Sequence, residues 1–473
     1  MALTTMAADN DKLHIVMFPW LAFGHLMPYL ELAKLIARKG HRVSFVSTPR
    51  NIDRLPKNAA PLIHFVKLPL PHVPNLPENA EATIDVPYDM VQYLKKAFDG
   101  LQEPMTQFLQ ASDPDWVLHD FAPYWVGPIA AKLDVSCAFF TISIASSVSF
   151  FFGPIEDDRT EPRHFTVTPK WFPFPSNVAF RYFEILKIFD SVEVNDSGIS
   201  DLDRFRESLK HCHVLALRSC ADFQPEWLQL LEEIHRKPVI PVGQLPSTEY
   251  DSGGREDAIA WEAIKEWLDK QERGSVVYVA FGSEAKTSQQ ELTEIALGLE
   301  LAGLPFFWVL RTRRGSADTH FIELPDGFEK RISKAGRGLV CTTWVPQLKI
   351  LGHDSVGGFL SHSGWSSVVE ALQFERPLIL LTFLAEQGLN ARVLEDKNIG
   401  YAIPRNEQDG SFTRDSVAQS LRLVMVEEEG KIYRDKAKEM RGLFGDRDRQ
   451  DRYVDNLLLY LSTHKHLHRL ASQ

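Results

Sequence analysis

The run "LHIVMFPW" near the start of the chain is apolar at almost every position and only long enough for a strand. A strand of this kind is covered on both faces, the condition of a parallel sheet wrapped by helices. The residues that follow agree: a turn at Gly24, a helical pattern in "LMPYLELAKLIARKG" closing at Gly40, then "RVSFVST" as a second strand. Together they make a right-handed βαβ unit. Further strands are expected in "DWVLHDF" (Asp115–Phe121), "CAFFTIS", "VLALRSC" (Val214–Cys220) and "PVIPVG" (Pro238–Gly243). After the polar, turn-rich "PSTEYDSGGRED" (Pro246–Asp257) the pattern restarts with "GSVVYVAFGS", a helical "SQQELTEIALGLELAG", and the strands "PFFWVLR", "GLVCTTW" and "VGGFLSH". The expectation is an α/β protein of two Rossmann-like parallel-sheet domains, residues 1–245 and 261–452, joined by a linker at 246–260. Two such domains would face each other across a cleft, with ligands at the carboxyl ends of the strands.

Composition narrows the function. A chain of 473 residues with 44% hydrophobic and 24% charged residues has the make-up of a soluble globular protein. Its net charge of -11 opposes a general attraction to nucleic acid or anionic lipid, and the basic cluster "RTRRG" (Arg311–Gly315) is too short to reverse that. Four cysteines without a CxxC pair suggest neither a disulfide framework nor a zinc site. The acidic start "MALTTMAADNDKLHIVMF" lacks the basic flank of a signal peptide, so a cytoplasmic protein is expected. The uncharged stretch Val135–Pro154 is diluted by serines and a threonine, and reads as a buried strand entering a helix that faces a pocket rather than as a membrane span.

The segment "WVPQLKILGHDSVGGFLSHSGWSSVVEALQ" (Trp344–Gln373) carries the chemistry. An apolar strand runs into a helix whose first turn offers free N–H groups, with Gly364 and small serines allowing close approach; that is an anion site. His362 ends the strand and adds a donor, so a phosphate or diphosphate fits. Glu370, a little over one turn into the helix, suits a ribose diol. Trp344 offers a flat face for a base and Gln347 a donor and an acceptor for its edge. Together these describe a nucleotide, although the dinucleotide fingerprint GxGxxG is absent after either domain's first strand.

From Trp344 to Gln387 the chain resembles the signature box of plant family 1 UDP-dependent glycosyltransferases, which have the two-domain GT-B fold, and the similarity extends over nearly the whole sequence. The resemblance implies that Trp344, with Val345 beside it, stacks on uracil and Gln347 meets its edge. Glu370 would hold the ribose hydroxyls, while His362 and Ser367, with Gly364 between them, meet the phosphates. Ser283 in "AFGS" resembles the family's diphosphate-facing residue, and Trp365 and Gln387 would lie against the donor sugar. Three positions depart from the pattern: Ser366 stands for the usual Asn, Ser363 for a frequent Cys, and Glu386 for the usual Asp. Ser366 reaches less far toward phosphate, and Glu386 is one methylene longer at the sugar. The helix "YVDNLLLYLSTHKHL", about 453–473, would by resemblance return to pack on the first domain and couple cleft closure to donor binding.

His25 follows Gly24 between the first strand and first helix, and Asp120 closes "DWVLHD" on the same sheet edge. An imidazole there can serve as a general base, with the carboxylate balancing the imidazolium that forms. The pair resembles the family's His-Asp dyad. His119 points to the opposite side of the strand. No metal or cofactor is expected: the pairs Asp113/Asp115 and Asp446/Asp448 read as solvated surface. The implied activity is inverting transfer of a sugar, glucose by the presence of Gln387, from a UDP-sugar to a hydroxyl of a plant small molecule such as a flavonoid or terpenoid or its glycoside. Similarity to a branch named for UDP-rhamnose rhamnosyltransferases gives the alternative of rhamnose transfer to a glycoside. A UDP-sugar epimerase and a non-catalytic binder are rivals from other classes, and the binder would need a broken dyad. Phe23, Tyr88, Ser147 and Phe151 are candidate acceptor contacts; a monomer is expected.

Overall fold

The computed structural model describes residues 12–56, 61–154, 157, 159–189, 193–247, 255–285, 287–311 and 322–465. It divides into two compact units, one formed by Met1–Ile155, Asp190–Ser247 and Arg447–Gln473, the other by Glu156–Phe189 and Thr248–Asp446.

The first unit holds a seven-stranded sheet: β1 (His14–Phe18), β2 (Arg42–Ser47), β3 (Ile63–Lys67), β4 (Trp116–His119), β5 (Ser136–Thr141), β6 (Val214–Leu217) and β7 (Val239–Pro241), in the order β3-β2-β1-β4-β5-β6-β7. Every neighbouring pair is parallel. All five residues of β1 are buried, as its unbroken apolar run requires. The edge strand β3, "IHFVK", was not among the expected strands; it mixes polar and apolar residues without regular alternation. Helix Phe23–Arg38 buries Leu26, Tyr29, Leu30, Ala33, Ile36 and Ala37 on one face against Ile15, Met17, Phe45 and Trp116. Val135–Pro154 forms β5 and helix Ala145–Phe151, and no described helix is long and apolar enough to cross a membrane.

The C-terminal helix runs Arg447–Thr463, starting before the expected residue 453. Its Val454, Leu457, Leu458 and Leu461 enter the first unit's core, and Trp116 Nε1–H donates to the Leu461 carbonyl at 2.9 Å. Gln450 Oε1 receives the Gln244 N–H at 2.7 Å.

The second unit holds six parallel strands: β8 (Val276–Ala280), β9 (Phe306–Val309), β10 (Gly338–Cys341), β11 (Val356–Ser361), β12 (Leu378–Leu380) and β13 (Gly400–Ala402), in the order β10-β9-β8-β11-β12-β13. Helix Gln289–Ala302 starts at a capping box of Ser288 and Glu291 and lies so close to helix Arg414–Met425 that a Cβ on Gly298 would stand 2.6 Å from Val417.

Three expectations need correction. The stretch Glu156–Phe189, numbered within the expected first domain, packs with the second unit. Helix Arg255–Asp269 begins inside the expected linker, whose residues 248–254 lie outside the described residues, as do 312–315 of the basic cluster and both chain ends (1–11 and 466–473). Asp115 is half-buried and accepts the His14 N–H at 2.8 Å, so it fastens β1 instead of being solvated; Asp113 is exposed in a left-handed turn.

Candidate active site

In each sheet the strand order reverses beside the first strand: at β1/β4 in one and at β8/β11 in the other. Chains leaving the carboxyl ends of such a pair run to opposite faces of the sheet and leave a crevice where ligands bind. His25 and Asp120 lie at the first of these edges, and Ser283, His362 and Gly364 at the second.

In the first unit, His25 lies in the opening turn of helix Phe23–Arg38, and Asp120 directly follows β4, which pairs with β1. His25 Nδ1 and Asp120 Oδ2 are 2.6 Å apart. The carboxylate is buried and also receives the N–H groups of Trp20 (Oδ2, 3.2 Å) and Phe121 (Oδ1, 2.8 Å). A carboxylate fixed by two backbone donors accepts the third proton from the imidazole, so Nδ1 donates and Nε2 keeps its lone pair. His25 is 22% exposed, and the adjacent Gly24 presents no side chain. Phe121, which the sequence reading did not single out, lies 5.8 Å from the imidazole, ring centre to ring centre. His119 is fully enclosed, packs near Phe139, and bonds the Asp120 carbonyl through Nδ1; burial pushes its pKa down to about 4.

The expected acceptor residues are scattered in character. Phe23 packs against the first core, and Tyr88 is exposed in the short turn Tyr88–Met90. Ser147 is enclosed within helix Ala145–Phe151, at variance with a pocket-facing side chain. Phe151 is half-buried, edge-on to Phe150, beside Phe152, which stacks on Phe205 at 3.6 Å.

In the second unit, β11 delivers His362 and helix Trp365–Leu372 begins at Gly364. The helix has no acid in its first turn and no side-chain cap, so the N–H groups of Trp365, Ser366 and Ser367 have no intrahelical acceptor. His362 is held between two glycines: a Cβ on Gly282 would stand 2.7 Å from its Nε2, and one on Gly364 2.3 Å. Burial pushes its pKa down to about 4, so at neutral pH it is an uncharged donor or acceptor, not a cation. Ser283 follows Gly282 in the turn after β8. Ser363 adopts φ 68°, unusual for a residue with a Cβ, and its carbonyl accepts from the buried Asn390 at 3.0 Å.

Trp344 is 46% exposed, a free aromatic face, whereas the neighbouring Val345 is buried. Gln347 opens the short helix Gln347–Leu351, and its amide is oriented by the protein: Tyr278 O–H donates to Oε1 at 2.9 Å, and Nε2 donates to Glu370 Oε2 at 2.6 Å. One N–H and one lone pair remain for a ligand. Tyr278 was missed from the sequence, though a tyrosine in the otherwise apolar β8 must find a polar partner. Burial, reinforced by the Glu370 carboxylate, holds its pKa far above the usual range, so it stays a donor.

Two residues expected at the sugar behave differently. The Trp365 side chain is buried beside Phe444, 6.0 Å between ring centres, leaving its backbone N–H as the group that faces the helix start. Gln387 opens helix Gln387–Asp396, directly after Glu386, and its Oε1 accepts the N–H groups of Phe383 (2.9 Å) and Leu384 (3.0 Å), so its amide nitrogen is the end left to donate. Among the described residues no group of three His, Cys, Asp or Glu side chains is arranged to hold a metal ion.

Residues 241–454 match the model of the family described as UDP-glucoronosyl and UDP-glucosyl transferase. Over 465 residues the chain is 55% identical to UDP-glycosyltransferase 91A1 of Arabidopsis thaliana, covering 97% of this chain and 98% of that one. The chain belongs to the plant family 1 UDP-glycosyltransferases. It is also 42% identical to the soyasaponin III rhamnosyltransferase of Glycine max, over 95% of this chain and 96% of that one. Among solved structures it is similar to UGT73P12 of Glycyrrhiza uralensis, complexed with glycyrrhetinic acid 3-O-monoglucuronide, with a TM-score of 0.77 at 23% identity over 98% of both chains. That likeness shows the GT-B fold. As a UDP-glycosyltransferase the protein takes a UDP-sugar donor and a small-molecule acceptor.

Proposed function

We propose that the enzyme transfers glucose, with inversion, to a hydroxyl of a plant small molecule such as a flavonoid or terpenoid or its glycoside. The observation that carries the mechanism is the 2.6 Å His25–Asp120 bond with its carboxylate fixed by two further N–H donors. His25 Nε2 takes the acceptor hydroxyl's proton as that oxygen bonds to the anomeric carbon. The bond from that carbon to the UDP oxygen breaks, and its electron pair leaves with UDP. Asp120 holds the imidazole in the productive tautomer and balances the imidazolium. The N–H groups of the helix's first turn, Trp365–Ser367, and the neutral His362 receive the charge growing on the diphosphate. Trp344 stacks on uracil, Glu370 takes the ribose hydroxyls, and Glu386 and Gln387 meet the sugar. Four unpaired cysteines accord with a reducing cytosol.

Rhamnose is the second reading, favoured by Glu386 in place of the usual Asp and by the similarity to a soybean rhamnosyltransferase. Mass spectrometry of products from UDP-glucose and UDP-rhamnose, offered with a flavonol and its 3-glucoside, tests both. A hexose increment supports glucose transfer and a deoxyhexose increment replaces it with rhamnose. Addition only to the glucoside marks a sugar-extending enzyme, and conversion of donor without acceptor would make the protein an epimerase.

A further inference from the structure

The stretch Glu156–Phe189 packs with the second unit and there delivers a buried carboxylate to the loop in front of helix Gln387–Asp396. Glu184, on helix Tyr182–Ile188, is only 7% exposed. Its Oε1 accepts Thr382 Oγ1–H at 2.7 Å and its Oε2 accepts the Arg181 N–H at 2.9 Å. Arg392, from the middle of the Gln387 helix, places Nη2 3.8 Å from Oε1. At the second position of that helix, Gly388 lies so close that an added Cβ would stand 2.5 Å from Glu184 Oε2. Only glycine permits this approach, which sets a negative charge against the helix N-terminus.

The loop between Thr382 and Gly388 is held further by Arg405 and by its own ends. Arg405, buried over the ring of Phe183 at 4.6 Å, donates to the Thr382 carbonyl at 2.6 Å. Gln387 Oε1 ties Phe383 and Leu384, and Ala385 adopts φ 53°, a conformation that a residue with a Cβ keeps only when its surroundings impose it. Glu184 thus bonds the loop before Glu386 and Gln387 and abuts the backbone just after them.

We infer that Glu184 is a positioning residue for recognition of the transferred sugar, acting through Thr382 and Gly388 on the side chains of Glu386 and Gln387. The inference rests on the reading that those two residues meet the donor sugar. A stretch of sequence remote from the nucleotide box thereby sets donor-sugar affinity and selectivity without touching the donor. Uracil, ribose and diphosphate are served by other elements, so the effect is confined to the sugar.

The test is steady-state kinetics with UDP-glucose and UDP-rhamnose, plus inhibition by UDP, on the full-length enzyme and its Thr382→Val, Glu184→Gln and Gln387→Ala variants. Thr382→Val keeps the shape of the side chain and deletes only the hydroxyl held by Glu184. Glu184→Gln keeps the shape but turns its N–H₂ donor toward Thr382 once its oxygen takes the Arg181 N–H, so the Thr382 O–H loses its acceptor and Arg392 its carboxylate. Both should raise KM for the preferred UDP-sugar about fivefold, the worth of one net hydrogen bond, and shift the glucose-to-rhamnose ratio of kcat/KM. The inhibition constant for UDP, which lacks the sugar, should stay within about twofold, a result that a merely structural role would not produce. Unchanged sugar KM and selectivity in both variants, while Gln387→Ala alters them, would overturn the role of Glu184 and leave the sugar site standing. No effect of Gln387→Ala would overturn the sugar site and the inference with it. A parallel loss of UDP affinity would show a general disturbance and also overturn the inference.

Discussion

Replacing Asp120 with Asn tests the dyad at nearly constant volume. The carboxylate accepts from three donors: Phe121 N–H at Oδ1, and Trp20 N–H with His25 Nδ1–H at Oδ2. An amide has one oxygen to divide between these two sides. If the oxygen faces Phe121, the N–H₂ group faces His25, the imidazole must turn its Nδ1 lone pair toward it, and the proton moves to Nε2, which can no longer act as a base. If the oxygen faces His25, the N–H₂ group opposes the Phe121 N–H and the imidazolium loses its counter-charge. The first arrangement removes the oriented general base and the second leaves its protonated form without a counter-charge; general-base catalysis contributes about 10²–10⁴ in rate, or about 3–5 kcal/mol of barrier at 1.36 kcal/mol per tenfold. Rapid-quench or steady-state assays at saturating UDP-sugar should therefore show kcat lowered about 100-fold or more, with KM for UDP-sugar nearly unchanged, because the donor residues lie on another sheet. His25→Ala should lose a similar factor, and the double variant little more, since the two act as one unit. An Asp120→Asn enzyme retaining kcat within about threefold would refute the assignment of His25 as the base.

Three further outcomes follow from the geometry. Tyr278→Phe removes the donor that orients Gln347, and should raise KM for UDP-sugar about three- to tenfold, the worth of about 1 kcal/mol, while kcat holds; isothermal titration with UDP reads this directly, and unchanged affinity would contradict it. His119, with its pKa pushed down to about 4 by burial, binds a proton in the unfolded chain below about pH 6.5 but in the folded protein only below about 4. Its contribution to stability is complete above pH 6.5 and is lost as pH falls through this window, by about 1.4 kcal/mol per pH unit. His119→Asn should flatten the pH dependence of the urea midpoint there, and an unchanged slope would refute the assignment. Leu457→Ala in the C-terminal helix should cost about 2–5 kcal/mol of stability by leaving a cavity in the first unit's core, seen as a lowered thermal midpoint; a cost confined to the second unit's unfolding would be the contrary result.

Where an element buries a regular face, the sequence displayed it: β1, β5 and β11 are largely apolar runs, and helix Phe23–Arg38 brings apolar Leu26, Tyr29, Leu30, Ala33, Ile36 and Ala37 back every three or four residues. β12 and β13 are three residues each, too short for periodicity to register, and β3 carries a mixed pattern because it lies at an edge. The start of helix Trp365–Leu372 was legible because glycines and small residues before a helix have few other uses, and the meeting of His25 with Asp120 because each follows one of two adjacent parallel strands. The partners that aim these groups were not. Tyr278, Asn390 and Glu184 meet Gln347, Ser363 and Thr382 across long sequence separations, and nothing local to a tyrosine, an asparagine or a glutamate announces a distant hydrogen bond. The packing of Glu156–Phe189 with the second unit was hidden for the same reason, since its Phe183 and Glu184 read locally as ordinary helix residues.

The first unit's core closes only when Val454, Leu457, Leu458 and Leu461 arrive, and Trp116 donates to the Leu461 carbonyl. On the ribosome those leucines are made after Thr248–Asp446, so the apolar face around Leu13, Ile15 and Trp116 must wait, uncovered, through synthesis of that stretch. Chaperone binding during translation should concentrate on that face. For anyone expressing the enzyme, a stop codon or proteolytic cut that removes helix Arg447–Thr463 would injure the unit that begins more than 400 residues upstream.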